Sequence, residues 1–132
     1  MIRFAYCFNR KSIQTLLVAL LYGTLFLAVN AFGENEGECI EGDCGNGQGT
    51  YLWANGDEYV GSFQSGRAHG IGTSTFPGGE EYVGSWNNGL MHGEGSYSYD
   101  DGSIYIGSFK DDKMDGEGIF AYANGDKYAG SW

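Results

Sequence analysis

His69 and His92 stand 23 residues apart, and each opens the same tetrad, H-G-x-G. Two imidazoles on neighbouring units of a stacked structure are candidate metal ligands, and Glu94 is near enough in sequence to add an oxygen. The set is short of the donors a zinc or copper site needs. The corresponding places elsewhere hold Asn46 and Asp115, so histidines packed against a turn account for both residues and no metal is assigned. The densest acidic run, Asp111, Asp112, Asp115 and Glu117, lacks the ligand spacing of a calcium loop and is interleaved with lysine. It reads as a solvated loop. Cys39 and Cys44 form an even pair whose disulfide would close only the segment CIEGDC. Two free thiols are the alternative. No serine is marked by a base and an orienting group, and the G-x-G pairs lack the G-x-G-x-x-G spacing of a phosphate cradle. Neither a catalytic constellation nor a cofactor site is expected.

The elements that position these residues come from a repeat of period 23. Tyrosines recur at Tyr59, Tyr82, Tyr105 and Tyr128. Glycines follow two places later at Gly61, Gly84, Gly107 and Gly130, and rings two places after those at Phe63, Trp86, Phe109 and Trp132. Second glycine pairs stand at Gly70 and Gly72, Gly93 and Gly95, and Gly116 and Gly118. A degenerate unit precedes Tyr59, with Glu36 in the tyrosine place and Ile40 in the ring place. Three complete units and the opening of another follow.

With a strand's period of two, Tyr82, Gly84 and Trp86 share one face while Val83 and Ser85 take the other. In the partner strand Gly93, Gly95, Tyr97 and Tyr99 share a face. Rings therefore alternate with bare backbone, and a ring on one strand can lie across glycine on its neighbour, where no Cβ blocks it. Asn55-Gly56, Gly78-Gly79, Asp101-Gly102 and Asn124-Gly125 are expected to make tight type I′ turns between units, with longer connections such as NNGLMH inside them. No window beyond the N-terminal run carries a helical apolar period. The fold expected is all-β: an elongated, twisted array of about nine or ten antiparallel hairpin strands.

The combination of Y-x-G-x-W/F with a following H-G-x-G at this period resembles the MORN repeat (membrane occupation and recognition nexus). The likeness runs well over Tyr59 to Trp132 and partly over Glu36 to Glu58. Three places depart from it: Asp115 stands where His69 and His92 stand, Asp112 where Gly66 and Gly89 stand, and Ser74 where Tyr97 stands. The resemblance implies hairpin arrays used as scaffolds and interaction surfaces. Its name implies lipid contact, which wants basic residues that this array has in short supply.

The first 31 residues differ in kind. Arg3, Arg10 and Lys11 precede an apolar run from Ile13 to Val29, and Val29 and Ala31 end it in a small-x-small pattern. This is the layout of a secretory signal peptide cleaved after Ala31; an uncleaved anchor is the alternative. The remainder divides into the cysteine-containing degenerate repeat at 32–58 and the array at 59–132. From residue 32 onward the chain holds 17 acidic and four basic residues, a formal charge of −13. That charge excludes nucleic acid and disfavours anionic lipid. The expected role is an exported, non-enzymatic interaction or scaffolding module. Its partner would be another protein, or a second copy joined through a strand edge. Membrane association through residues 13–29 and a truncated piece of a longer repeat protein are the alternatives. A sugar site on the rings is unnecessary, because packing over glycine already accounts for them.

Overall fold

Alternation of period two, broken at fixed intervals by residues with positive φ, decides the architecture. The computed structural model describes residues 37–132. It holds β1 (Glu38–Gly42), β2 (Gln48–Leu52), β3 (Glu58–Gln64), β4 (Arg67–Thr75), β5 (Glu81–Asn87), β6 (Leu90–Ser98), β7 (Ile104–Lys110), β8 (Lys113–Ala121) and β9 (Lys127–Ser131). Every strand pairs antiparallel with its neighbours in sequence, so nine strands make one open sheet in chain order. Among the described residues there is no helix. The signal or anchor assigned to 1–31 and the opening of the degenerate repeat lie outside them.

The two classes of turn are the reverse of the sequence expectation. The connections inside each unit are the tight ones. Gln64 pairs with Arg67, Asn87 with Leu90, and Lys110 with Lys113. The two residues between each pair have positive φ: Ser65 and Gly66, Asn88 and Gly89, Asp111 and Asp112. That is the type I′ signature. Between units, only the glycine of Asn55-Gly56, Asp101-Gly102 and Asn124-Gly125 has positive φ, and in Gly78-Gly79 only Gly79 does. The Gly56 N–H donates to the Trp53 carbonyl and the Trp53 N–H to the Asp57 carbonyl, both at 2.9 Å. These hydrogen bonds make a longer loop with a left-handed glycine at its end. The Asn55 side chain holds it there by accepting from the Asp57 N–H and donating to the Asp57 carboxylate.

Register sets one glycine of every strand in a single row: Gly42, Gly49, Gly61, Gly72, Gly84, Gly95, Gly107, Gly118 and Gly130. The row two residues away carries Tyr51, Tyr59, Ser74, Tyr82, Tyr97, Tyr105, Phe120 and Tyr128. Each buried tyrosine lies down along its strand and crosses the glycine row. Its phenol donates to the carbonyl three residues on: Tyr59 to Ser62 (3.0 Å), Tyr82 to Ser85 (2.9 Å) and Tyr105 to Ser108 (3.0 Å). A Cβ on Gly72 would stand 2.2 Å from the Tyr59 hydroxyl oxygen, and one on Gly118 2.4 Å from that of Tyr105. Only glycine leaves room for the ring.

The ring of each following unit then wedges between two tyrosines. Trp86 lies 5.1 Å from both Tyr59 and Tyr82, Phe109 lies 5.0 Å from Tyr82 and 5.1 Å from Tyr105, and Trp132 lies 5.3 Å from both Tyr105 and Tyr128. All six contacts are edge-to-face, the favoured aromatic geometry. With Phe63 against Tyr59, eight rings form one unbroken ladder. Tyr59, Tyr82 and Tyr105 have no exposed surface, whereas Tyr128, on the edge strand, is 46% exposed.

One alternation fails. Gly95, Tyr97 and Tyr99 keep to the ring face, but Gly93 does not. Gly84 pairs with Gly95 and Trp86 with Met91, so β6 spends three residues where β5 spends one. Gly93 absorbs this bulge at a φ of 69°, and a Cβ there would meet the Ser85 side chain on the opposite face. The H-G-x-G tetrad is thus bulge chemistry.

Gly72→Ala should lower the unfolding free energy by about 1–3 kcal/mol, the usual range for forcing atoms into a filled core. Gly78→Ala, whose Cβ would meet nothing within 4 Å at a φ outside the left-handed region, should change it by less than about 0.5 kcal/mol. Urea unfolding of the two variants checks this, and equal losses would contradict it.

Candidate functional site

A second set of rings lies beside the ladder. Trp53, Phe76, Tyr99 and Tyr122 share the 23-residue spacing, and each is the first residue of an inter-unit turn. Their carbonyls accept from Gly56, Gly79, Gly102 and Gly125, which fixes the backbone that carries them. Ring centroids then follow in sequence across the sheet: Phe76 to Tyr97 at 6.2 Å, Tyr97 to Tyr99 at 4.7 Å, Tyr99 to Phe120 at 5.4 Å and Phe120 to Tyr122 at 4.6 Å. Tyr51 and Trp53 pair separately at 4.8 Å. The row is interrupted at Ser74, which occupies the place of Tyr51, Tyr97 and Phe120. A cavity of about 310 Å³ opens there, with Trp53, Phe76 and Trp86 among its walls. Tyr97 and Tyr99 of this row are on the face the sequence assigns them; the place of Phe76 in it and the cavity beside Ser74 come from the structure alone.

Electrostatics on this face are acidic. Burial pushes the phenols of Tyr59, Tyr82 and Tyr97 up to about 12; Asp112 and Glu94 add to the effect at Tyr82, and Glu80 at Tyr97. Tyr99 is also raised, mainly by burial and then by Glu80 and Asp101. These rings stay neutral hydrogen-bond donors throughout the physiological range.

The residues singled out for metal chemistry are dispersed. Asp111 and Asp112 form a turn, Asp115 and Glu117 lie on β8, and Glu117 accepts a hydrogen bond from Ser131. His92 Nδ1 lies 3.5 Å from Asp111 Oδ1, outside hydrogen-bond geometry; like His69 Nδ1 it is buried without a hydrogen-bond partner among the described residues. Among those residues, no three His, Cys, Asp or Glu side chains gather as a metal group. Cys39 and Cys44 are joined as a disulfide, Cα atoms 5.9 Å apart, at the β1–β2 hairpin.

Among the described residues, the face opposite the rings carries no aromatic side chain. Val60, Thr73, Val83, Ser96, Ile106, Ile119 and Ala129 fall in one register row across it. Val60, Val83, Ile106 and Ile119 are 44–59% exposed, and Ile71 beside them is 65% exposed.

A single sheet of repeated hairpins, packed by rings over a glycine row, defines a β-hairpin repeat protein. Comparison with known families gives the same class. The sequence model described as MORN repeat matches residues 46–58, 59–81, 82–104 and 105–127, more than half of the chain. The chain belongs to the MORN repeat family. Such repeats serve generally as protein- or membrane-interaction modules. No curated protein matches the sequence.

Unfolded tyrosine titrates near 10. Below that pH the phenols are protonated in both states and their contribution to stability is whole. As pH rises from about 10 through 12, the unfolded chain gives up protons that the folded chain keeps, and stability falls. The urea midpoint should therefore hold steady up to about pH 10 and drop above it, with the phenolate absorbance of Tyr59, Tyr82 and Tyr97 appearing only on unfolding. Full phenolate titration near pH 10 in a folded protein would contradict the burial.

Proposed function

We propose that this protein is an exported, non-enzymatic array that binds another protein and acts as an interaction or scaffolding module. The observation that carries the proposal is the exposed apolar row Val60, Val83, Ile106 and Ile119 with Ile71 beside it. Domain packing normally covers such a face with a second layer, and uncovered apolar patches mark interaction sites. The ring ladder does not need these side chains, because it lies on the other face. The formal charge of −13 from residue 32 onward favours a neutral or basic partner and argues against nucleic acid and anionic lipid. Export is supported by the signal-like N-terminus and by the paired Cys39 and Cys44. The alternative partner is a second copy joined through a strand edge. The apolar run from Ile13 to Val29 favours a further reading, membrane attachment of an unprocessed chain.

Val83→Thr combined with Ile106→Thr keeps β-branched side chains and removes apolar surface. Stability should change by less than about 1 kcal/mol, and a partner captured by the wild-type protein from its own compartment should be lost. Identical capture by both proteins would refute the proposal.

A further inference from the structure

Two of the three places where the array departs from its own repeat meet at one spot. Ser74 replaces the ring found at Tyr51, Tyr97 and Phe120, and the missing volume is the 310 Å³ cavity. Asp112 replaces the glycine found at Gly66 and Gly89, and it lines that same cavity. Asp112 holds a positive φ of 67°, which an L-residue adopts at a cost. Its position is set by the preceding hairpin: Oδ1 accepts from the Met91 N–H at 2.8 Å and its own N–H donates to the Met91 carbonyl at 3.1 Å. Asp57 supplies a second carboxylate to the lining and is fixed by Asn55. Neither carboxylate forms an ion pair among the described residues.

The walls are Trp53, Phe76 and Trp86. The Trp86 indole N–H is already used, donating to the Gly72 carbonyl at 3.2 Å, so that ring brings no free donor to the cavity. No lysine, arginine or histidine lines the cavity. Aromatic walls with two uncompensated carboxylates attract a cation and repel an anion. A small, strongly hydrated metal ion would need a shell of oxygens that the rings do not give. A compact organic cation needs only π-faces and diffuse negative charge.

We propose that the cavity between Trp53, Phe76 and Trp86, with Asp57 and Asp112 in its lining, is a binding site for an alkylated ammonium group. The site is on the ring face and is independent of the apolar row on the other face.

Tryptophan fluorescence of the full chain, titrated with choline and with its neutral carbon isostere 3,3-dimethylbutan-1-ol, tests this directly. Choline should give saturable quenching, with the isostere at least about tenfold weaker. Ser74→Tyr restores the ring of the other units and should abolish the response in a folded protein. Asp57→Asn keeps a side-chain oxygen to accept from Asn55 and removes the charge; it should weaken choline severalfold in a protein that still unfolds cooperatively in urea. A peptide carrying trimethyllysine serves as the second arm. Binding of the peptide alone, with the same sensitivity to Ser74→Tyr, supports the site and assigns the cation to a protein side chain. Equal affinity for choline and its isostere, retention of binding in Ser74→Tyr, or no saturable response to either cation at millimolar concentration would overturn the proposal.

Discussion

The structure depends on a tyrosine ring lying across bare backbone. Among the described residues one sheet has no second layer to bury its side chains against, so it is packed from within its own surface. Here Tyr59, Tyr82 and Tyr105 each fold down along their strand, cross the glycine row and fasten the hydroxyl to a carbonyl three residues on. A side chain that would have stood in solvent becomes fully buried. Burying a large apolar side chain is worth about 1.5–3 kcal/mol, and each edge-to-face contact adds about 0.5–1.5 kcal/mol. The cost is that any side chain in the glycine row would collide with the ring.

This constraint makes the units interdependent. Trp86 belongs to one repeat, yet it fills the gap between that repeat's tyrosine and the tyrosine of the repeat before. The turns add a second link. Gly66, Gly89 and Asp112 each donate a backbone hydrogen bond to the preceding unit, at Gly45, Ala68 and Met91. Stability then accrues through neighbour interfaces, as in other repeat arrays. The ring-bearing face is packed in this way except where Ser74 breaks the pattern, and the opposite face carries the exposed aliphatic row.

Much of this was legible in the residues. The 23-residue recurrence of tyrosine, glycine and a second ring, read with a period of two, fixes the strands, their antiparallel order and the pairing of ring with glycine. Turn chemistry was not legible. Ser65-Gly66 and Asn55-Gly56 are similar dipeptides, and what separates them is the strand register on either side, which brings Gln64 opposite Arg67 but leaves Trp53 to bond with Asp57. The bulge at Gly93 was hidden for a related reason: alternation counted along one strand cannot show that its partner spends fewer residues over the same distance. The cavity could not be read at all. Ser74 and Asp112 lie on different units, and only the stacking of hairpins brings both to the same wall.

Proton NMR measures the central contact most directly. If the rings of Tyr59, Tyr82 and Tyr105 cover the glycine row, ring currents will move the α-protons of Gly72, Gly95 and Gly118 strongly upfield, and those of Gly78 will stay near their unstructured positions. Ordinary shifts for all four glycines in a folded, β-rich protein would mean that the rings stand away from the backbone, and the account would fail.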